Sequence, residues 1–332
     1  MSQKGIGRLF SIGIAKETTR GTAVSAASYW LPFSDASLDE KFANVTQDEA
    51  YGIIEDSVGQ FRVKNWAEGT LKVPATDKSL PLLMYSQFGA LASATHTGET
   101  TVYDHTITVG ESAQHQSLTL FIHDPLAAQD YSYALGVIYK TEFDAELNKF
   151  AELSLSVKAQ KGTQESTYTP SLVSENRFLP QYMTFKYATS VSGLSTATAI
   201  ALKSIKLTIN GNIEDDEVLG SVAPVDFLNK EFMIDGTLEA IYQNESDFKT
   251  VALATPNVAQ AMLIDLKNTD VTIGTASHPE IAITLDQVYF TEYSRPLKIK
   301  DTVYQTVKFK AVYSITDSEM GKIVVTNTVI SY

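Results

Sequence analysis

The chain has 332 residues, 44% hydrophobic and 10% aromatic, with a formal net charge of −13; that is apolar material for about two domains and excludes a wholly disordered chain. No run approaches the roughly 18 apolar residues of a membrane span, and the absence of cysteine excludes disulfides, thiolate catalysis and Cys-bound zinc or iron–sulfur sites, so the composition predicts a soluble protein made in a reducing cytoplasm, with no membrane partner. The acidic balance disfavours static nucleic-acid binding, in which Lys and Arg displace counterions from phosphates.

Residues 1–33 are rich in Gly, Ala, Ser and Thr, with turn signals at Arg20-Gly21-Thr22 and Leu31-Pro32 and no secretory h-region, and predict an extended N-terminal arm with little core of its own. A first strand is expected from Ser34 to Asn44. It is followed by an acidic segment, Thr46 to Ser57, carrying Asp48, Glu49, Tyr51, Glu55 and Asp56. Beyond the strand-like Phe61 to Lys64 comes Gly69-Thr70-Leu71, which returns 167 residues later as Gly236-Thr237-Leu238. The same offset relates Ser79-Leu80 to Ser246-Asp247 and Ser37-Leu38 to Ser204-Ile205, while Thr141-Glu142-Phe143 answers Thr291-Glu292-Tyr293 at an offset of 150. These markers predict a tandem duplication, with a loop's worth of extra residues after the first helix.

Each half is expected to hold one short helix packed on its own sheet. In Ser79 to Gly89, Ser79 can cap, Leu80, Leu83, Met84 and Phe88 share a face and Gly89 stops the run; in the second copy Ser246 caps and Pro256 ends it. Strict alternation in 152–159, 204–210, 281–286 and 307–311 predicts half-buried strands. Thr163 to Thr198, low in charge with Pro170 and Pro180, is expected to connect the halves. Ile213 to Leu228, with Glu214, Asp215, Asp216 and Glu217, repeats the acidic segment of the first half. Both segments read as solvated loops, or as hairpins that order on a neighbouring subunit. The expected layout is an arm at 1–33, a first domain at 34–162, a connector at 163–200 and a second domain at 201–332.

Motifs for chemistry are weak. Gly5-Ile6-Gly7 lacks the rest of a phosphate loop, and Gly110 to Gln114 misses the nucleophile elbow at its last position. His96, His105, His115 and His123 fall in one Thr-rich stretch without ligand spacing, and Asp215-Asp216-Glu217 fails the calcium-loop pattern. No catalytic residue, cofactor or metal is expected. Trp30, Trp66 and Tyr131 are read as core-filling; exposed, they would suit a binding module instead.

Gly13-Ile14-Ala15-Lys16-Glu17, Arg20-Gly21-Thr22 and Tyr29-Trp30-Leu31-Pro32 resemble the opening of the major tail tube proteins of long-tailed bacteriophages. That resemblance implies a mainly β fold, two tandem β-sandwich or barrel-like domains each flanked by one short α-helix, and three duplicated chains making a pseudo-sixfold ring. It also implies a virion tail component assembled in the host cytoplasm, with the tape measure, tail terminator and baseplate proteins as partners and DNA only in transit. Unpaired sheet edges would join subunits within a ring, and the two acidic segments with the arm are the candidates for contact between rings. The wet strand faces are expected to line an acidic channel. The competing readings are a β-sandwich binding or decoration module that forms no rings, and an enzyme.

Overall fold

The computed structural model describes residues 4–126, 129–165, 167–297 and 299–332. The first half contains β1 (Ser11–Lys16), β2 (Tyr29–Leu31), β3 (Asp35–Gln47), β4 (Gly59–Pro74), α1 (Leu80–Phe88), β5 (Gly89–Thr95), β6 (Tyr103–Val109), β7 (Leu118–His123), β8 (Asp130–Glu146), β9 (Glu152–Ala159) and β10 (Thr163–Glu165). The second contains β11 (Met183–Ala188), β12 (Ser204–Asn210), β13 (Ile213–Asp216), β14 (Asp226–Asn229), β15 (Met233–Ile241), α2 (Lys249–Ala252), β16 (Gln260–Lys267), β17 (Glu280–Ser294), β18 (Tyr304–Ala311) and β19 (Gly321–Asn327). The fold is mainly β and its paired strands are antiparallel. Among the described residues no helix is long and apolar enough to cross a membrane.

The repeated glycines explain the repeat. Gly69 faces Leu38 on β3 and Val157 on β9, while Gly236 faces Leu207 on β12 and Phe309 on β18. A Cβ at Gly69 would lie 1.8 Å from the carbonyl oxygen of Ser37, and one at Gly236 would lie 2.6 Å from that of Lys206. In both copies the neighbouring strand crosses so closely that only glycine fits. Two bulges also coincide. The β8–β9 register slips between Ile138 and Lys140, and β17–β18 slips between Phe290 and Glu292; β7–β8 slips between Leu118 and Leu120, and β16–β17 between Gln260 and Met262.

These registers move the sequence alignment by two residues: Leu38 corresponds to Leu207 rather than Ile205, and Thr141 to Tyr293 rather than Thr291. They also give the arm, expected to have little core of its own, and the connector strands that join the sheets. β1 pairs with β7 as β11 pairs with β16, and β10 pairs with β8 as β19 pairs with β17. The Gly- and Ala-rich opening is a core strand, with Ile12, Ile14, Ala15, Trp30 and Leu31 buried. Its small residues are required because a Cβ at Gly13 would meet the Ala27 Cβ at 2.7 Å and the Trp30 ring at 3.1 Å. The extra residues of the first half form the β5–β6 hairpin, which crosses to the other copy through β6–β19.

The helices depart from a single-faced pattern. Every α1 residue except Tyr85 is buried, because strands surround it. Ser79 sits at its N-cap, but its hydroxyl bonds Glu175 at 2.8 Å instead of capping; Gly89 stops the helix with φ +91° as expected. α2 shrinks to four residues, starting after Phe248 rather than Ser246. A common core runs through both copies, from Ile12 to Val325.

Candidate assembly surfaces

The two copies share one sheet. β3, β4, β9 and β8 pair in that order, β12, β15, β18 and β17 do the same, and β8 joins β12. Seven residue pairs make the seam, from Lys140 facing Asn210 to Glu146 facing Ser204. On its dry face Phe143 opposes Leu207 and Ala145 opposes Ile205, all buried. Gln87 of α1 staples it, donating to the Ile209 carbonyl at 2.9 Å and accepting from the Thr141 hydroxyl at 2.6 Å. On the wet face Glu142 lies between Lys140 at 2.7 Å and Lys206 at 2.9 Å, whose hydrogen bonds hold its carboxyl below the usual range.

This eight-stranded sheet ends in two open edges. Among the described residues β3 pairs only with β4, and β17 beyond Val288 only with β18. Unpaired edges of this kind recruit another strand unless they are blocked.

The first acidic segment is the tip of a long β-hairpin. β4 leaves β9 at Ala67, and from there to the tip β3 and β4 pair only with each other. Asp48, Glu49, Tyr51, Glu55 and Asp56 are exposed there beside Ile54, at 102% exposure, and Phe61, at 62%. An isolated two-stranded ribbon is marginal in water, and this one displays apolar side chains where a free loop would be polar.

The second acidic segment behaves differently: expected as a solvated loop or a hairpin that orders on a neighbouring subunit, it is ordered within its own chain. After Gly211 the chain turns, and β13–β14 fold back over the first half. Asp215 accepts from Lys64 at 2.5 Å and Lys158 at 2.7 Å; Glu217 also pairs with Lys64, and the Asn65 amide donates to the Val222 carbonyl at 2.7 Å. Burial pushes the Asp215 carboxyl up, but the two ammonium groups outweigh it and hold it below its ordinary value. Glu214 pairs at the surface with Lys230, and Asp216 closes the turn through its backbone carbonyl to Val225. The tip of the turn projects, with Leu219 fully exposed.

The N-terminal motif serves this fold-back. Arg20 donates to Asp226 at 2.8 Å and to the Phe227 carbonyl at 3.0 Å. Glu17 is buried and accepts from the Gly21 and Leu135 amides, both at 2.8 Å, and from the hydroxyls of Ser117 and Thr119. It thereby holds Leu135 at φ +54°. Sequence reasoning registered the motif but not its partners, which lie on distant strands.

The four histidines stay apart. His96 bonds Asp104, His105 bonds Ser93 and Asn327, His115 bonds the Gln87 and Gly110 carbonyls, and His123 bonds Asp130. Trp30 packs with Phe121 and Tyr168, and Trp66 lies half-buried under Lys64 and Lys158.

A duplicated antiparallel sheet with two open edges and a projecting apolar ribbon offers surfaces on which further strands can pair. The family model described as phage tail tube protein matches residues 7–311, and the chain belongs to that family, whose members are structural components of phage tails. No curated protein matches the chain.

Proposed function

We propose that this chain builds the tube of a phage tail: three copies close a pseudo-sixfold ring, the rings stack, and DNA passes through the hole. The observation that carries the reading is the continuous eight-stranded sheet, which joins two equivalent units inside one chain and leaves the same two kinds of edge open. Three such sheets give about 24 strands, and at about 4.8 Å per strand with the usual tilt the ring is roughly 40–50 Å across its backbone. The dry face packs outward on the rest of each subunit and the wet face lines the channel.

On that face four lysines have carboxylate partners: Lys206 and Lys140 with Glu142, Lys72 with Glu152 at 3.0 Å and Lys308 with Glu292 at 2.6 Å. Such a lining offers phosphate few free cations, so DNA moves past without being held. A cationic lumen in an assembled ring would contradict this. The β3–β4 ribbon reaches the next ring, where its apolar side chains are covered, while the fold-back of the second hairpin stiffens its base. The tape measure, terminator and baseplate proteins would meet this tube in the virion, after assembly in the host cytoplasm. Deleting Thr46 to Ser57 tests the stacking role: the variant is expected to keep its circular dichroism and melting temperature yet form no tubes. Normal tube growth by that deletion would refute the assignment.

A further inference from the structure

We infer that neighbouring copies join by adding β3 of one to the free edge of β17 of the other in a fixed register, Leu38 to Lys41 against Glu292 to Arg295, with Lys41 facing Glu292. The inference rests on the ring reading above and goes beyond it by naming the residue pairs.

The internal seam is the template. Leu38 corresponds to Leu207, since each faces the repeated glycine, and Phe290 corresponds to Ile138, since each precedes the same bulge. β3 is therefore the counterpart of β12, and the end of β17 the counterpart of the β8 segment that meets it. In the seam Asn210 faces Lys140 and Leu207 faces Phe143. Transposed to two chains, Lys41 faces Glu292 and Leu38 faces Arg295. Pro296 follows at once and, lacking an N–H, ends the uninterrupted ladder.

The charges agree with this register. On the wet face Lys41 opposes Glu292. On the other face Glu40 lies diagonal to Arg295, whose guanidinium rests on Tyr242 at 4.3 Å. A slip of two residues toward the start of β3 sets Asp39 against Glu292, two like charges. Among the described residues Lys41 has one carboxylate beside it, Asp39 at 3.5 Å, and Glu292 pairs with Lys308 at 2.6 Å at the surface, leaving its carboxylate able to take a second lysine as Glu142 does in the seam.

The absence of cysteine makes the test clean. In one chain Lys41 and Glu292 lie on the two outermost strands of the eight, roughly 30 Å apart at about 4.8 Å per strand, so any disulfide between them links two copies. In oxidised tubes, the double variant K41C/E292C is expected to give covalent trimers several-fold more efficiently than D39C/E292C. The charge reversal K41E is expected to slow assembly at least tenfold, and adding E292K together with K308E, which keeps the in-chain pair to residue 292, to restore it. Preferential linking of D39C/E292C, no linking in particles that microscopy shows as rings, or no rescue by E292K/K308E would each overturn the register while leaving rings intact. A protein that stays monomeric at high concentration would overturn both the register and the ring reading.

Discussion

Replacing Gly69 by Ala is the most local test of the close strand crossing that the two copies share. A Cβ there would lie 1.8 Å from the Ser37 carbonyl oxygen, a backbone atom that cannot rotate away. The ladder must open, at about 1–3 kcal/mol for overpacking and about 1 kcal/mol for each ladder hydrogen bond lost. Against this stands a gain of about 0.5–1 kcal/mol from replacing glycine inside a strand. The net expectation is a loss of about 2–3 kcal/mol in urea unfolding. At Gly236 the clash is shared between the Phe309 ring at 2.5 Å and the Lys206 carbonyl at 2.6 Å, so Gly236→Ala costs somewhat less. Gly59→Ala, on the same strand as Gly69 but with nothing nearer than 3.7 Å, is the control and is expected to be neutral or stabilising. Gly69→Ala within about 0.5 kcal/mol of the parent would refute the reasoning.

Burial first, then the neighbouring Glu280, pushes the Asp265 carboxyl up from 3.8 to about 7. The folded state thus binds that proton more tightly than the unfolded one, and this group's contribution to stability is full below about pH 4 and is lost as pH rises toward 7. Asp265→Asn is expected to remove that part of the decline and to melt higher than the parent at pH 8; parallel melting curves for the two proteins from pH 5 to 8 would contradict it. Asp215 has the opposite sign: its lowered carboxyl contributes stability above its ordinary value of 3.8 that is lost on acidification. Lys158→Gln is expected to loosen the folded-back hairpin, read as severalfold faster hydrogen exchange at the Asn65 amide, with unchanged exchange counting against the clamp. Glu17→Ala strips acceptors from the Gly21 and Leu135 amides and is expected to cost about 3 kcal/mol or more in thermal or urea unfolding; a loss under about 1 kcal/mol would contradict its role as a buried anchor.

The duplication was legible because its markers are glycines that a crossing strand makes irreplaceable, and Gly69 and Gly236 stand out against any background. The alternating strands β9, β12, β17 and β18 were legible for the usual reason, one wet face and one dry. The two-residue error in aligning the copies was invisible in sequence, since a strand shifted by two keeps every side chain on its own face. β1 and β5 were missed because Gly, Ala and Ser interrupt or fill them where neighbours approach closely, and β6 because Asp104, His105 and two threonines break up its apolar residues; such composition reads as loop. The acidic segments looked alike. Only the positions of Lys64 and Lys158, on strands far away in sequence, decide that one folds back while the other projects.

In the proposed tube each chain supplies two neighbouring sectors of a ring. Mass measurement of single purified rings, paired with end-on microscopy, tests it most directly. The expected result is six similar lobes around an open hole, with a mass three times that of the 36.3 kDa chain. Six lobes with the mass of six chains, or a lone two-lobed monomer at every concentration, would contradict it.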